Sequence, residues 1–469
     1  MARSLADDER LVLGIDSSTQ STKVVLVDAD TGRVVATGSA PHPNGTEADP
    51  EWWWDALGRA GEPMRGRGRA VAVAAQQHGM VALDAEGAVV RPALLWNDLR
   101  AAGQADELVA EFGGPARCAE LTGSVITASF TVAKLRWLAE QEPAAAERVA
   151  TVVLPHDWLT HRLTGLDPTT DAGDASGTGY FDPASRSWRS ELADRALGQP
   201  VGLPRVAAPG DVVGTTAEGM AVAAGTGDNM AAALGLQLQP GDVVVSIGTS
   251  GTAFAMTDAP HADARGLVAG FCDAAGGYLP LVCTINASRV LSTTARLLGC
   301  SLAELDALAG SSPPGANGVV LLPYLDGERT PNRPAATGTF SGITSTTERA
   351  DLARAAVEGL LCSLADAVAA LGITPSRVLL IGGGSRSGAV QELSSSLLDA
   401  QVVVPEPAEY VALGAARQAA WAMDGSERPP PWDRAAAREA TPVDPEQRQA
   451  ADVIRARYAA LRERTGAWS

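Results

Sequence analysis

Residues 14–28 read GIDSSTQSTKVVLVD, and they are the clearest indication of the fold class. An apolar run leads into Asp16, small, hydroxyl and amide side chains fill positions 17–22, and a second apolar run begins after Lys23. The pattern predicts a strand, a tight turn and a returning strand. Backbone N–H groups and hydroxyls at such a turn can surround phosphate oxygens, and a carboxylate at the end of the first strand can hold a hydrated magnesium ion.

A second hairpin of the same kind begins the other half of the chain. Residues 242–257 read DVVVSIGTSGTAFAMT, in which an apolar run enters a turn of small residues and another apolar run leaves it. Either hairpin alone could be an ordinary glycine-containing turn, because such turns are common. The pair, with Asp16 in the first copy, favours two similar domains. The break LQPG at 238–241 predicts a boundary between a domain of residues 1–238 and a domain of residues 239–469.

Composition argues against several classes of protein. The 469 residues carry a formal net charge of −18, which disfavours nucleic-acid and anionic-membrane partners because these need a basic surface. A nucleotide site on such a chain has to supply its own local donors and metal. Five scattered cysteines without CxxC spacing predict reduced thiols, and the charged N-terminal segment does not resemble a signal peptide. We therefore expect a cytoplasmic protein without a membrane span.

Strand-like and helical segments alternate in both halves, which predicts an α/β architecture. Asp49 and Pro50 predict the start of a helix over 50–59. We expect a polar loop at 171–182 and a proline-rich linker at 428–433. Apolar runs predict strands at 70–75, 93–96 and 378–381, and longer segments predict helices at 230–236, 347–371, 389–398, 407–423 and 447–461.

Asp228 is the candidate for the chemical step. It follows a Gly-Thr-Gly segment and precedes the predicted helix over 230–236. One interpretation is a helix N-cap, because Asp and Asn both favour that position. The other is a general base, since the flexible glycines let a substrate approach the backbone. The carboxylate could then take a proton from a sugar hydroxyl that attacks a γ-phosphoryl group.

The ends of two predicted strands offer candidate substrate contacts. Gln77 and His78 follow the strand at 70–75 and provide an amide and an imidazole for hydroxyl groups. Trp96 and Asn97 end the next strand and could line the same cleft. The alternatives are a histidine satisfied by backbone groups and a tryptophan buried in the core.

A glycine-rich turn, GGGSRSG at 382–388, lies between a predicted strand and a predicted helix. It suits close approach by a nucleotide, because the N–H groups at a helix start are available to anions. The chain has neither GxGxxG nor GxxxxGK[ST]. The absence of these motifs argues against a dinucleotide-binding site and a P-loop. It also argues against an α/β oxidoreductase, which would need the dinucleotide-binding motif.

The chain resembles the FGGY carbohydrate kinases, a family within the superfamily of sugar kinases, chaperone ATPases and actin. Within the family it is most similar to the branch that phosphorylates xylulose. The matching segments follow the family's order and reach from about residue 11 to 420. They are GIDSSTQSTK, QQHGMVALD, RPALLWNDLR, LPHDWLTHRLTG, TDAGDASGTGYFD, GTGDNMAAALG, VSIGTSGTAF, LPYLDGERTPNRP and LLIGGGSRSG.

The resemblance implies two ribonuclease-H-like domains with a central cleft. It also implies that Asp228 is the catalytic base and that Asp16 lies near the γ-phosphate, with both carboxylates near Mg2+ through water. His78 matches the histidine of the substrate pair, whereas Gln77 replaces the usual methionine and exchanges an apolar contact for an amide. We expect ATP contacts from Thr19, Gln20, Lys23, Gly248, Thr249, Gly383, Gly384 and Ser387. We expect sugar contacts from Gln77, His78, Trp96, Asn97, Asp228 and Asn229.

The implied reaction transfers the γ-phosphoryl group of ATP to the 5-hydroxyl of D-xylulose. Another ketose or polyol, such as ribulose or a sugar alcohol, is an alternative substrate. A non-catalytic, actin-like nucleotide-binding regulator is a more distant alternative. The expected partners are therefore the sugar and ATP, and the resemblance alone implies a homodimer.

Overall fold

The computed structural model describes residues 10–433, 437–439 and 445–466. The chain forms two compact units, each assembled from several segments. The first unit takes the described residues within Met1–Leu238, Thr257–Leu279 and Ala408–Arg434. The second unit takes those within Gln239–Met256, Pro280–Pro407 and Ala435–Ser469. Within the described ranges, no helix combines the length and the apolar character needed to cross a membrane.

The strands are named in chain order over the part of the chain that the structure describes. They are β1 (Leu11–Ser17), β2 (Ser21–Asp28), β3 (Val34–Pro41), β4 (Glu47–Ala48), β5 (Ala70–Ala75), β6 (Val81–Leu83), β7 (Ala93–Leu94), β8 (Thr151–Val153), β9 (Thr169–Asp171), β10 (Phe181–Asp182), β11 (Ser187–Trp188), β12 (Arg205–Ala207), β13 (Val212–Thr215), β14 (Ala221–Ala223), β15 (Thr226–Gly227), β16 (Asp242–Ile247), β17 (Gly251–Ala255), β18 (Ala269–Cys272), β19 (Tyr278–Thr284), β20 (Val320–Leu322), β21 (Thr339–Ser341), β22 (Arg377–Ile381), β23 (Val402–Pro405) and β24 (Ala437–Glu439).

The α-helices are named in the same way. They are α1 (Pro50–Gly61), α2 (Ala102–Glu111), α3 (Pro115–Thr122), α4 (Thr131–Gln141), α5 (Pro143–Ala146), α6 (Pro155–Thr164), α7 (Ala172–Ala175), α8 (Ser190–Leu197), α9 (Asp228–Gly235), α10 (Ser288–Leu298), α11 (Leu302–Ser311), α12 (Arg349–Ala370), α13 (Gly388–Leu397), α14 (Tyr410–Asp424) and α15 (Pro445–Thr465).

The first unit is built on a sheet of order β13-β14-β5-β1-β2-β3, in which β15 also pairs with β5. Strands β1, β2 and β3 form an antiparallel meander, whereas β5 and then β14 continue the sheet in parallel with β1. Every residue of β1 is buried, as expected for a central strand covered on both faces. This order is ribonuclease-H-like and places the carboxyl ends of β1, β5 and β15 at one edge.

The second unit repeats this arrangement. Its sheet contains the run β19-β17-β16-β22-β23-β24. The hairpin β16–β17 and the pair β17–β19 are antiparallel, whereas β16–β22 and β22–β23 are parallel. The two predicted hairpins thus occupy the same place in two similar sheets, and the prediction of an α/β fold with two ribonuclease-H-like domains is confirmed.

The two faces of the first sheet carry side chains of different size. On one face Ile15 and other large residues pack against α1 and α6, where the rings of Trp53 and Trp158 meet edge to face at 6.2 Å. Because strand side chains alternate, the other face receives a different set. It presents alanines to the alanine-rich helices α9 and α14, and those of β5 are Ala70, Ala72 and Ala74.

The start of α1 is as predicted. Asp49 is its N-cap and accepts a hydrogen bond from Glu51 N at 3.0 Å, and Pro50 is the first helical residue. The long helix expected over 347–371 is α12, and the terminal helix expected over 447–461 is the longer α15.

One expectation from sequence is wrong. Residues 171–182 are almost all buried and include helix α7, because the carboxylates of Asp171 and Asp174 find hydrogen-bond partners inside the protein. The segment at 428–433 has no regular secondary structure, as expected of a linker, and it is anchored at one point. Its Trp432 is 8% exposed and donates from Nε1 to the Ala29 carbonyl at 2.7 Å, which anchors the segment to the first sheet.

Candidate active site

Two carboxylates lie where parallel strands of the first sheet end. The register aligns Asp16 of β1 and Thr226 of β15 with Ala74 of β5, one from each side. Asp228 follows two residues after Thr226, as the first residue of α9. The sheet therefore brings together Asp16 and Asp228, which lie near opposite ends of residues 1–238.

Both carboxyl groups have raised pKa values. Burial raises the pKa of Asp228 to about 7, and the charge of Asp16 adds to the effect. Burial also raises the pKa of Asp16 to about 6, although the hydrogen bond from Ser18 and the charge of Lys23 act in the opposite direction. A carboxyl group with a pKa near neutrality is suited to take up a proton.

The N-cap interpretation of Asp228 is wrong. Gly227 is the N-cap of α9, with an extended backbone (φ −71°, ψ 159°), and Asp228 is already helical. Oδ1 of Asp228 accepts hydrogen bonds from N of Asn229 at 2.7 Å and from Nδ2 of Asn229 at 2.8 Å. Asn229 therefore orients the carboxylate, and its predicted contact with a sugar stays a prediction.

Thr19 joins the turn of the first hairpin to two candidate substrate segments. Its Oγ1 accepts from Trp96 Nε1 at 2.9 Å and donates to Gln76 Oε1 at 3.4 Å. Trp96 is 39% exposed, so the interpretation of a buried tryptophan is wrong. Asn97 donates from Nδ2 to the Gly45 carbonyl at 3.3 Å, and within the described residues its buried Oδ1 has no hydrogen-bond partner.

Gln77 presents a buried amide beside the segment that precedes Asp228. Its side chain is enclosed, and among the described residues Nε2 has no hydrogen-bond partner. A Cβ on Gly227 would lie 2.7 Å from Gln77 Cγ, and one on Gly177 would lie 3.1 Å from Nε2, so both glycines make room for the amide. An unpaired buried donor costs about 1–3 kcal/mol, a cost that a ligand hydroxyl can offset.

His78 has a left-handed backbone with φ 65°. This conformation costs a residue other than glycine about 1–2 kcal/mol, and such strain concentrates at functional sites. Nδ1 lies 2.6 Å from the Gly177 carbonyl, so it carries the proton and donates it, which makes Nε2 the acceptor. The ring also contacts Phe130 and Phe271, with centroid distances of 4.9 and 5.7 Å. The alternative interpretation from sequence, a histidine that is hydrogen-bonded to the backbone, therefore holds for Nδ1.

The remaining predicted residues of the first hairpin are differently placed. Lys23 Nζ lies 2.6 Å from Glu409 Oε2 in a half-exposed ion pair, while its charge also acts on Asp16. Gln20 is exposed at the turn. Their contacts with a nucleotide stay predictions.

The second unit has its own glycine-rich turns. The turn at Gly248 and Thr249 is tied to the start of α10, because the two carbonyls accept from the backbone N–H groups of Ser288 and Ala287 at 2.8 and 3.1 Å. In this sheet Ser246 of β16 takes the register place that Asp16 has in β1. The second hairpin, β16–β17, therefore repeats the turn of the first but has no carboxylate at the position of Asp16.

The GGGSRSG turn combines close packing with open space. A Cβ on Gly384 would lie 2.3 Å from Cγ2 of Ile247, whereas one on Gly383 would meet no described atom within 4 Å. Ser387 is the N-cap of α13 and donates from Oγ to Asp306 Oδ1 at 2.6 Å. Gly384 and Ser387 thus have structural roles, and the nucleotide contacts of this turn stay predictions.

Sequence reasoning missed a buried layer next to these residues. His156, Asp157 and Asp174 are at most 1% exposed, with Nδ1 of His156 2.6 Å from Asp174 Oδ2 and Nε2 3.3 Å from Asp157 Oδ1. Burial by itself lowers the pKa of His156, but the two carboxylates outweigh it and raise the value to about 9. The available signal was the charged residues of the segments at 154–165 and 171–182, of which the second was expected to be a polar loop. Another missed residue, Lys134, donates to the His78 carbonyl at 2.7 Å.

Comparisons with known proteins identify the family of the chain. Models of the FGGY family of carbohydrate kinases match residues 11–236 with the N-terminal domain and 243–423 with the C-terminal domain. A xylulose kinase of Streptomyces coelicolor is 50% identical over 437 residues, which cover 89% of each chain. The crystal structure of xylulose kinase from Bifidobacterium adolescentis is 42% identical, has a TM-score of 0.89 and covers 97% of this chain and 99% of its own. A gluconate kinase from Lactobacillus acidophilus has a TM-score of 0.90 at 22% identity over 98% of this chain and 100% of its own, a likeness of fold alone.

Proposed function

The chain belongs to the FGGY family of carbohydrate kinases, and from this premise we propose that it transfers the γ-phosphoryl group of MgATP to the 5-hydroxyl of D-xylulose. The products are D-xylulose 5-phosphate and ADP. One observation carries the proposal: Asp228, with a pKa raised to about 7, lies at the same sheet edge as Asp16 and follows Gly227, which packs against the buried side chain of Gln77. Similarity to enzymes named xylulose kinase supports D-xylulose as the acceptor.

Asp228 acts as the general base in this proposal. Its Oδ1 is held by both N–H donors of Asn229, so Oδ2 is the atom that takes the proton of the attacking hydroxyl. The hydroxyl oxygen forms a bond to the γ-phosphorus while the bond to the β,γ-bridging oxygen breaks, and ADP leaves. General-base catalysis of this kind contributes about 10²–10⁴-fold.

Magnesium fits the acidic pair Asp16 and Asp228. Both carboxyl groups have raised pKa values, and the charge of Asp16 adds to the shift of Asp228, a repulsion that a divalent cation relieves. These two residues would hold the ion through water. When bound, it neutralises charge on the phosphoryl oxygens.

The residues that contact each ligand form part of the same proposal. Gln77, His78, Trp96 and Asn97 bind the sugar, and the turns at Thr19, Thr249 and Gly383 bind ATP, together with the other nucleotide contacts named above. We also propose a domain boundary between residues 238 and 239. It is supported by the two family models, which match the chain on either side of it. A cytoplasmic location and a homodimer remain predictions from sequence and resemblance.

A panel of acceptors tests the substrate. ADP release is measured with D-xylulose, ribulose, gluconate, glycerol and a pentitol, and 31P and 13C NMR locate the new phosphate ester. The proposal predicts the highest kcat/KM for D-xylulose and phosphate on its 5-oxygen. A higher value for another acceptor would reassign the substrate, and no stimulation by any acceptor would favour the non-catalytic regulator.

Substitution of Asp228 by Asn tests the base. The amide cannot take the proton, so we expect kcat to fall by about 10²–10⁴-fold while ATP still binds, as measured by coupled ADP release and calorimetry. Asp55→Asn removes the same charge from an exposed position of α1 and is the matched control, with unchanged kcat. Turnover of Asp228→Asn within threefold of the control would contradict the assignment.

A further inference from the structure

Lys134 is a cation with no exposed surface. It is one of two lysines in the chain, lies on α4 and is 0% exposed. Its Nζ donates to two backbone carbonyls, those of His78 at 2.7 Å and of Ser129. In the described part of the chain, Lys134 forms no ion pair within 4 Å. Burying this amine is costly even with two hydrogen bonds, although the charge of Asp98 offsets part of that cost.

The carbonyl that Lys134 binds belongs to the left-handed residue of the candidate sugar site. His78 is the last residue before Gly79 in the turn that leaves β5, and its φ of 65° turns its carbonyl out of the strand direction. Thr131 Oγ1 donates to the same oxygen at 3.3 Å. Two side chains of α4 therefore satisfy the carbonyl in this conformation, and a residue with ordinary backbone angles would present the oxygen elsewhere.

The same helix turn also fixes the imidazole ring. Phe130, the residue before α4, contacts the ring at a centroid distance of 4.9 Å. Val132 N donates to the Thr178 carbonyl at 2.9 Å, next to Gly177, whose carbonyl accepts from Nδ1 of the ring. Backbone and ring of His78 are thus held from one short segment.

We infer that Lys134 is a positioning residue for sugar recognition, which holds His78 in the left-handed conformation that directs its imidazole to the substrate. The inference rests on the proposed function. A compact ammonium suits the task, because it donates to two carbonyls at once, whereas the planar guanidinium of arginine is larger and cannot lose its proton. Burial lowers the pKa of Lys134 to about 7, so a neutral amine, still a donor, is accessible near neutrality.

Lys134→Met tests the inference, since methionine fills similar space without a donor. We expect KM for D-xylulose to rise about tenfold, kcat to stay within about twofold and KM for ATP to be unchanged. A merely structural lysine would change both KM values together or neither. Leu138→Val, at another buried position of α4, is the matched control and should lower the melting temperature without altering either KM.

A double-mutant cycle with His78→Ala shows whether Lys134 acts through His78. If it does, Lys134→Met adds nothing to the sugar KM once the imidazole is gone. Additive effects of the two changes would overturn the inference. Should the methionine variant be insoluble, Thr131→Val removes the weaker donor to the same carbonyl and should raise the sugar KM about two- to threefold, and no rise would overturn it.

A spectroscopic readout separates positioning from general destabilisation. The chain has five histidines, so long-range 1H–15N spectra can resolve the His78 ring. We expect the Nδ1–H tautomer in the unsubstituted enzyme and tautomer exchange in Lys134→Met. An unchanged His78 signal would overturn the inference. A wild-type enzyme inactive on D-xylulose would instead overturn the proposed substrate, which the acceptor panel detects independently.

Discussion

At the scale of single residues, burial gives the first unit its unusual acid–base chemistry. Burial raises the pKa values of Asp228 and Asp16, whereas neighbouring carboxylates raise the pKa of His156 against the effect of burial. The sequence identifies the two aspartates because they end or follow strands. It does not identify His156, because its two carboxylate partners are an immediate neighbour, Asp157, and a residue 18 positions away, Asp174.

The His156 cluster predicts a specific pH dependence of stability. The folded pKa of about 9 exceeds the ordinary value near 6.5, so the folded state binds more protons between these values and stability falls as pH rises through them. The loss is at most about 1.4 kcal/mol per pH unit. We therefore expect the His156 ring of the folded protein to stay protonated up to about pH 8, as measured by long-range 1H–15N spectra.

The other groups of the cluster do not reverse this sign. The pKa values of Asp157 and Asp174 are raised by burial to about 7 and about 6, although the charge of His156 lowers both, so they also lower stability with rising pH. Lys134 has a lowered pKa and acts in the opposite direction. The ring of His161, half-exposed on the same helix, is the internal reference in these spectra. A neutral His156 ring at about pH 7 would contradict the assignment.

At the scale of elements, the close packing of α9 against α14 depends on glycines. A Cβ on Gly414 of α14 would lie 1.8 Å from the Ala231 carbonyl of α9, and one on Gly235 of α9 would lie 2.1 Å from the Tyr410 carbonyl of α14. The two helices therefore meet backbone to backbone. Since Asp228 is the first residue of α9, this contact also sets the position of the proposed base.

Gly414→Ala tests that contact. The added methyl group forces α9 and α14 apart, so we expect a loss of about 1–3 kcal/mol in unfolding free energy and a lower kcat. Gly58→Ala in α1 is the matched control, because its Cβ would meet no described atom within 4 Å, and it should gain about 0.5–1 kcal/mol. Equal melting temperatures for the two variants would contradict the close packing.

At the scale of the whole molecule, net charge opposes the nucleotide. The chain carries −18, and ATP is an anion, so long-range repulsion slows their encounter. We expect kcat/KM for ATP to rise as ionic strength increases from about 0.01 to about 0.15 M, where the screening length shortens from roughly 30 to roughly 8 Å. D-xylulose is uncharged and serves as the internal control, with a salt-independent KM. A decrease for ATP would instead indicate a locally positive approach to the site.

Local patterns were enough to predict the α/β class, the repeated hairpin and the family, because strand periodicity, turn residues and ordered motifs are local properties of the chain. They also identified Asp16, His78 and Asp228 as residues of interest. The folded structure was needed to show that Gly227, and not Asp228, caps α9, that Trp96 is half-exposed, and that Lys134 holds the His78 carbonyl. These outcomes depend on burial and on contacts between residues far apart in the chain. Such contacts shift a pKa or stabilise a strained backbone, and neither effect is written in a local pattern.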